Sequence, residues 1–182
     1  MALLYTPDTK KGWKAPDFSL RGVDGKNHSL SSASGEKGLV VMFICNHCPY
    51  VKSITNKLVR DMTELSEYGI GSIAICSNDA DSYPEDGFDA MKQFAAEQSF
   101  PFPYIWDEDQ SIARAYDAVC TPDFFGFDKE LCLQYRGRLD DAGMQDRPES
   151  KRDLFEAMKQ VSLTGAAPAT QHNSMGCSIK WK

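Results

Sequence analysis

The chain has 182 residues, 42% of them hydrophobic and 25% charged, with a formal net charge of −6. That length and composition suit one compact domain with its own core, and an acidic balance with no basic stripe argues against nucleic acid or an anionic membrane as primary partners. The longest apolar stretch, Leu39–Cys45, is far short of the roughly 20 residues a spanning helix needs.

The opening dozen residues are polar and carry no pattern. Ala15-Pro16-Asp17-Phe18-Ser19-Leu20, the turn Asp24-Gly25 and the short run to Leu30 predict a hairpin. Leu39–Cys45 is apolar without alternation, as in a central strand buried on both faces and paired in parallel. The period then changes. Val51, Ile54, Leu58, Val59, Met62, Leu65 and Tyr68 make one helix face, with Pro49 at its first position and Gly69 at its end.

Ile73–Cys76 is the next buried strand. Phe88, Met91, Phe94 and Ala95 mark a second amphipathic helix that closes before Pro101. Tyr104–Trp106 predicts a brief strand, and Ile112, Ala113 and Tyr116 a short helix. Phe124–Phe127 and Leu131–Tyr135 form a hairpin about Asp128-Lys129-Glu130, and Pro148 starts a last helix bearing Leu154, Phe155, Met158 and Val161. The order predicts an α/β sheet of mixed direction with helices on both faces. The domain so defined spans residues 1–164. In the remaining tail, 165–182, Cys177, Ile179 and Trp181 alternate with polar residues, which is a strand pattern. Such a tail is expected to dock on its own domain or on a second subunit, a homodimer in the latter case.

The N-terminus has no charged start followed by an apolar core, so no secretory leader is read there and a cytoplasmic protein is expected. In that compartment six cysteines, at positions 45, 48, 76, 120, 132 and 177, point to thiol chemistry or metal rather than to a disulfide scaffold. Cys48 stands out. It follows a central strand and precedes Pro49, at the start of the first long helix, where unpaired N–H groups favour a thiolate; His47 and Lys52 add polarisable or positive groups nearby. The alternative is a buried structural cysteine. Cys45, three residues earlier, is either a redox partner across a tight turn or a core residue completing the strand. Cys76 and Cys132 read as core, and His28 and His172 as solvated.

Phe43-Ile44-Cys45-Asn46-His47-Cys48-Pro49-Tyr50-Val51-Lys52 resembles the strand-to-helix active site of thioredoxins. Together with Ala15–Leu20, Cys120-Thr121-Pro122-Asp123-Phe124-Phe125 and the Gly176–Trp181 ending, it resembles the peroxiredoxin-like branch of the thioredoxin superfamily, from about Gly12 onward. The resemblance implies a thioredoxin-like fold and places Cys48 on the first cysteine of the thioredoxin pair, with Val51 on the second. The peroxidatic cysteine of peroxiredoxins and the Pro and Thr before it fall on Val51, Ile44 and Cys48, and their arginine falls on Pro122. The standard peroxidatic mechanism is therefore not expected. Thr121-Pro122 matches the thioredoxin cis proline that faces the active cysteine and presents backbone to substrate strands. Cys120 would then lie close to Cys48, as a further thiol or as a small core residue. Cys177, on a docked tail, is either a resolving thiol or an apolar staple.

These residues together suggest a thiol–disulfide oxidoreductase: Cys48 attacks a protein disulfide or small-molecule oxidant, Cys45, Cys120 or Cys177 resolves the product, and an external thiol restores it. Weak peroxide reduction would use the same thiol, and no cofactor is implied. One rival is a Cu(I) or Zn(II) module built on Cys45, His47, Cys48 and Cys120, although the copper-delivery branch of the superfamily spaces its cysteines by three residues and adds a distant histidine. The other is a redox-inert adaptor that uses the thioredoxin surface.

Overall fold

The computed structural model describes residues 3–8 and 10–182. In chain order it runs through β1 (Leu3–Tyr5), the hairpin β2 (Ser19–Arg21) and β3 (Asn27–Ser29), α1 (Leu30–Ala33), β4 (Gly38–Phe43), α2 (Pro49–Lys52), α3 (Thr55–Glu67) and β5 (Ile70–Cys76). After a 3-10 turn at Pro84–Asp86 come α4 (Phe88–Glu97), β6 (Tyr104–Trp106), α5 (Ser111–Ala115), β7 (Cys120–Thr121), β8 (Asp123–Asp128), β9 (Leu133–Gly137), α6 (Asp153–Thr164) and β10 (Met175–Ser178).

Five strands in the order β6-β5-β4-β8-β9 form the central sheet. β4 is parallel to β5 and antiparallel to β8, so the sheet is mixed, as its sequence pattern predicts. Every residue of β4 is buried, which explains its lack of alternation. Val40 and Met42 face a layer with Leu58, Met62 and Leu65 of α3 and Leu154 and Met158 of α6. Leu39, Val41 and Phe43 face the other way, onto Ala113, Tyr116, Phe125, Phe127 and the N-terminal Phe18 and Leu30. The result is a sheet with helices on both faces, the thioredoxin-like architecture expected from the sequence.

Several local expectations are corrected. The long helix after Pro49 is two pieces: the Ile54 N–H bonds back to the Val51 carbonyl at 3.0 Å, three residues away. This tightened turn separates α2 from α3, yet both keep the same apolar face inward. The last helix begins at Asp153 rather than Pro148. Asp140 and Asp141 carboxylates take the backbone N–H groups of Ala142, Gly143 and Lys151, so this stretch is held as turns. Cys132 is only half-buried, at an isolated bridge to Lys14. His28 is mostly buried, not solvated, and pairs with Asp24 at 3.0 Å.

The opening residues are not featureless. β1 pairs antiparallel with β10, which pairs in turn with β7, so a three-stranded sheet, β1-β10-β7, ties both ends of the chain together. The tail docks on its own domain. Trp181 lies beyond β10, exposed, with the Arg114 guanidinium 4.5 Å from its ring centre.

Candidate active site

Cys48 is the N-cap of α2, with Pro49 at the first helical position. α2 has only four residues, so its dipole is small and hydrogen bonds, rather than a long helix, must hold a thiolate here. They do. The Cys48 thiol is held well below its ordinary value, first by a hydrogen bond from Cys45 and then by Cys177, the Val51 N–H and Thr121, against the opposing effect of burial. Neither His47 nor Lys52 heads that set, and Lys52 is exposed.

The two other thiols shift the opposite way. Cys45 is raised well above its usual value, chiefly because its S–H donates a hydrogen bond to Cys48 and then because it is buried. Its Sγ lies 3.3 Å from the Thr121 hydroxyl. Burial and the charge on Cys48 push Cys177 up to about 12. Cys48 Sγ and Cys177 Sγ are 3.0 Å apart. One thiolate flanked by two protonated thiols is the arrangement that results.

The Thr121–Pro122 bond is cis. The turn brings the Thr121 carbonyl to 3.3 Å from Cys48 Sγ. Asp123, directly after the proline, is clamped by the Arg136 guanidinium at 2.8 Å, both side chains being buried. Opposite the turn, Cys177 is paired in register with Thr121. The approach is close: a Cβ on Gly176 would sit 2.1 Å from the Thr121 carbonyl oxygen, so glycine is required there. Ser174 Oγ donates to the Pro122 carbonyl at 2.9 Å, and the Lys180 N–H donates to Asn78 Oδ1 at 2.9 Å. With the tail pinned on both sides of Cys177, Cys48 is fully buried.

Cys120 is also buried, and burial raises its thiol; its Sγ donates to the Pro122 carbonyl at 3.6 Å. The sequence leaves it between a further thiol and a small core residue; its burial and its hydrogen bond within its own loop favour the core reading. Cys76, as expected, is core.

A residue absent from the sequence reading completes the site. Asp86 is fully buried, and its carboxylate accepts from the Asn46 N–H (2.8 Å), the His47 N–H (3.2 Å), His47 Nδ1 (2.5 Å) and Asn78 Nδ2 (2.8 Å). His47 stacks on Tyr83, ring centres 5.4 Å apart. Cys45 Sγ, a His47 ring nitrogen and an Asp86 oxygen fall within 4.8 Å of one another. This is not the Cys45–His47–Cys48–Cys120 group read from the sequence, and its carboxylate already has four donors. Beside the cis proline lies a cavity of about 300 Å³, lined by Tyr5, Tyr50, Phe124, Arg138 and Ser174 among others.

The AhpC/TSA family model matches residues 12–136. No curated protein matches the chain. Among solved structures, an uncharacterized conserved protein from Geobacillus kaustophilus is 42% identical, with a TM-score of 0.94 over 100% of this chain and 97% of its own. A hypothetical protein from Sinorhizobium meliloti 1021 is 35% identical, with a TM-score of 0.92 over 98% of each chain. A thiol:disulfide interchange protein of the thioredoxin family from Chlorobium tepidum shares the fold at 21% identity, with a TM-score of 0.64 over 86% of this chain and 99% of that one. The family match spans most of the chain and the fold agrees with it: the protein belongs to the AhpC/TSA family, in the peroxiredoxin-like branch of the thioredoxin fold.

Proposed function

We propose that the protein is a thiol–disulfide oxidoreductase in which Cys48 is the nucleophile and Cys177 the resolving thiol. The observation that carries this is the 3.0 Å separation of the two sulfurs, one low and one high in proton affinity. The Cys48 thiolate attacks one sulfur of a substrate disulfide, forming a mixed disulfide and expelling the other sulfur as a thiolate. Cys177 then loses its proton and attacks Cys48, releasing the second substrate thiolate and leaving a Cys48–Cys177 disulfide. Two external thiols reduce that bond and become a disulfide themselves. Cys45 serves as hydrogen-bond donor to Cys48, not as the resolving group.

Disulfide exchange is preferred to peroxide reduction because the groups around Cys48 are thiols, the Val51 N–H and Thr121, and Pro122 stands at the place the resemblance gives to a peroxidatic arginine. A protein disulfide or a small oxidised thiol is the substrate class, an external thiol the reductant, and a reducing compartment such as the cytoplasm the setting. The test is turnover of a small disulfide with a thiol reductant. Cys48→Ser is expected to abolish it, and Cys177→Ser to release about one equivalent of substrate thiol and then stop as a mixed disulfide. Full turnover by Cys48→Ser would refute the assignment.

A further inference from the structure

The exchange needs two segments distant in sequence to present their sulfurs in one geometry, and a single buried side chain contacts or reaches both. Burying a carboxylate is unfavourable unless every acceptor position is satisfied. Asp86 meets that condition with four donors, and they come from the parts that carry the chemistry. Two are the N–H groups of Asn46 and His47, directly ahead of Cys48, and a third is the His47 ring. The fourth is Asn78 Nδ2, whose Oδ1 accepts the Lys180 N–H just beyond β10. The Asp79 N–H donates in turn to the Lys180 carbonyl at 2.8 Å. Asn46 is itself fixed, its Nδ2 donating to the Glu85 carbonyl at 2.9 Å and the Tyr104 hydroxyl donating to its Oδ1 at 3.0 Å.

We propose that Asp86 is the positioning residue of the exchange reaction, one carboxylate that sets the Cys48 loop directly and the Cys177 strand through Asn78. The proposal rests on the thiol-exchange function above. It has a second consequence within the site: the Asp86 charge faces Cys45 and adds to the effects that keep that thiol protonated, so Asp86 helps decide which sulfur is ionised.

Two variants separate the arms. Asn78→Ala cuts the connection to the tail; Asp86→Asn leaves one oxygen for the Asn46 and His47 N–H groups but replaces the oxygen that accepts from the His47 ring and from Asn78, so it weakens both connections. Each is compared with wild type in iodoacetamide alkylation of Cys48 against pH and in the glutathione equilibrium of the Cys48–Cys177 disulfide. Asn78→Ala is expected to weaken disulfide formation about tenfold, the size of one net hydrogen bond, and to raise the alkylation midpoint, because Cys177 is one of the donors to Cys48. Asp86→Asn is expected to move the midpoint, to weaken the disulfide at least as much, and to divert part of the oxidised product into Cys45–Cys48. A purely structural role would lower thermal stability with midpoint and product unchanged, and that result overturns the proposal. If Asp86→Asn does not fold, an unshifted equilibrium in Asn78→Ala overturns it alone. Wild-type protein that forms no Cys48–Cys177 disulfide refutes the exchange function instead, so the two failures are distinct.

Discussion

At the scale of single residues, the chemistry turns on which of three neighbouring sulfurs holds the charge. The N-cap position of Cys48 is legible in the sequence, from a strand that ends into a proline-started helix. Its stabilisation is not legible there, because the donors are Cys45, then Cys177, the Val51 N–H and the Thr121 hydroxyl rather than a long helix dipole. Cys45→Ala removes the foremost donor. The Cys48 thiol should then rise toward the free value of about 8.5. Since a depressed thiol is ionised at neutral pH and a raised one is not, Cys48 alkylation at pH 6 should fall at least about tenfold once the thiol pKa stands a unit or more above that pH, while alkylation at pH 9 changes little. An unchanged pH profile would remove Cys45 from the donor role. Asp86 and Asn78 could not be read ahead: the bond from the Asn46 N–H to Asp86 joins residues 40 apart, and no spacing or motif announces it.

At the scale of elements, β10 is what completes the site and also what closes it. The alternation of Cys177, Ile179 and Trp181 pointed to a docked strand, and the strand forms, though it ends at Ser178 and leaves Trp181 outside. Its outer neighbour β1 was missed because three residues without alternation give no signal until a partner strand exists. The split at Ser53–Ile54 leaves no mark on the apolar pattern because both pieces bury the same face. β10 lies along Thr121, the place where the thioredoxin resemblance puts a substrate strand, and Cys48 beside it is fully buried. Gly176→Ala drives a methyl group into the Thr121 carbonyl and should loosen β10 selectively. Cys48 alkylation should rise several-fold, with hydrogen exchange faster at Met175–Ser178 and unchanged in the central sheet. Equal alkylation in the variant and the wild type would show that β10 does not control access.

At the scale of the whole molecule, the mixed sheet with helices on both faces follows from runs that the sequence displays openly, Leu39–Phe43 above all. The tail of residues 165–182, expected to dock, packs on the chain's own domain of residues 1–164, where β10 shares a sheet with β1 and β7 and brings its sulfur beside that of Cys48. The chain closes on itself: its two ends meet over the end of the central strand from which Cys48 emerges. That closure makes the central claim a claim about one covalent bond. The protein is oxidised with a limiting amount of a small disulfide, digested without reduction and mapped by peptide mass. An intramolecular Cys48–Cys177 bond is expected as the main product, with Cys45 and Cys120 still thiols. A Cys45–Cys48 bond, or a Cys48–Cys177 bond found only between two chains, would contradict it.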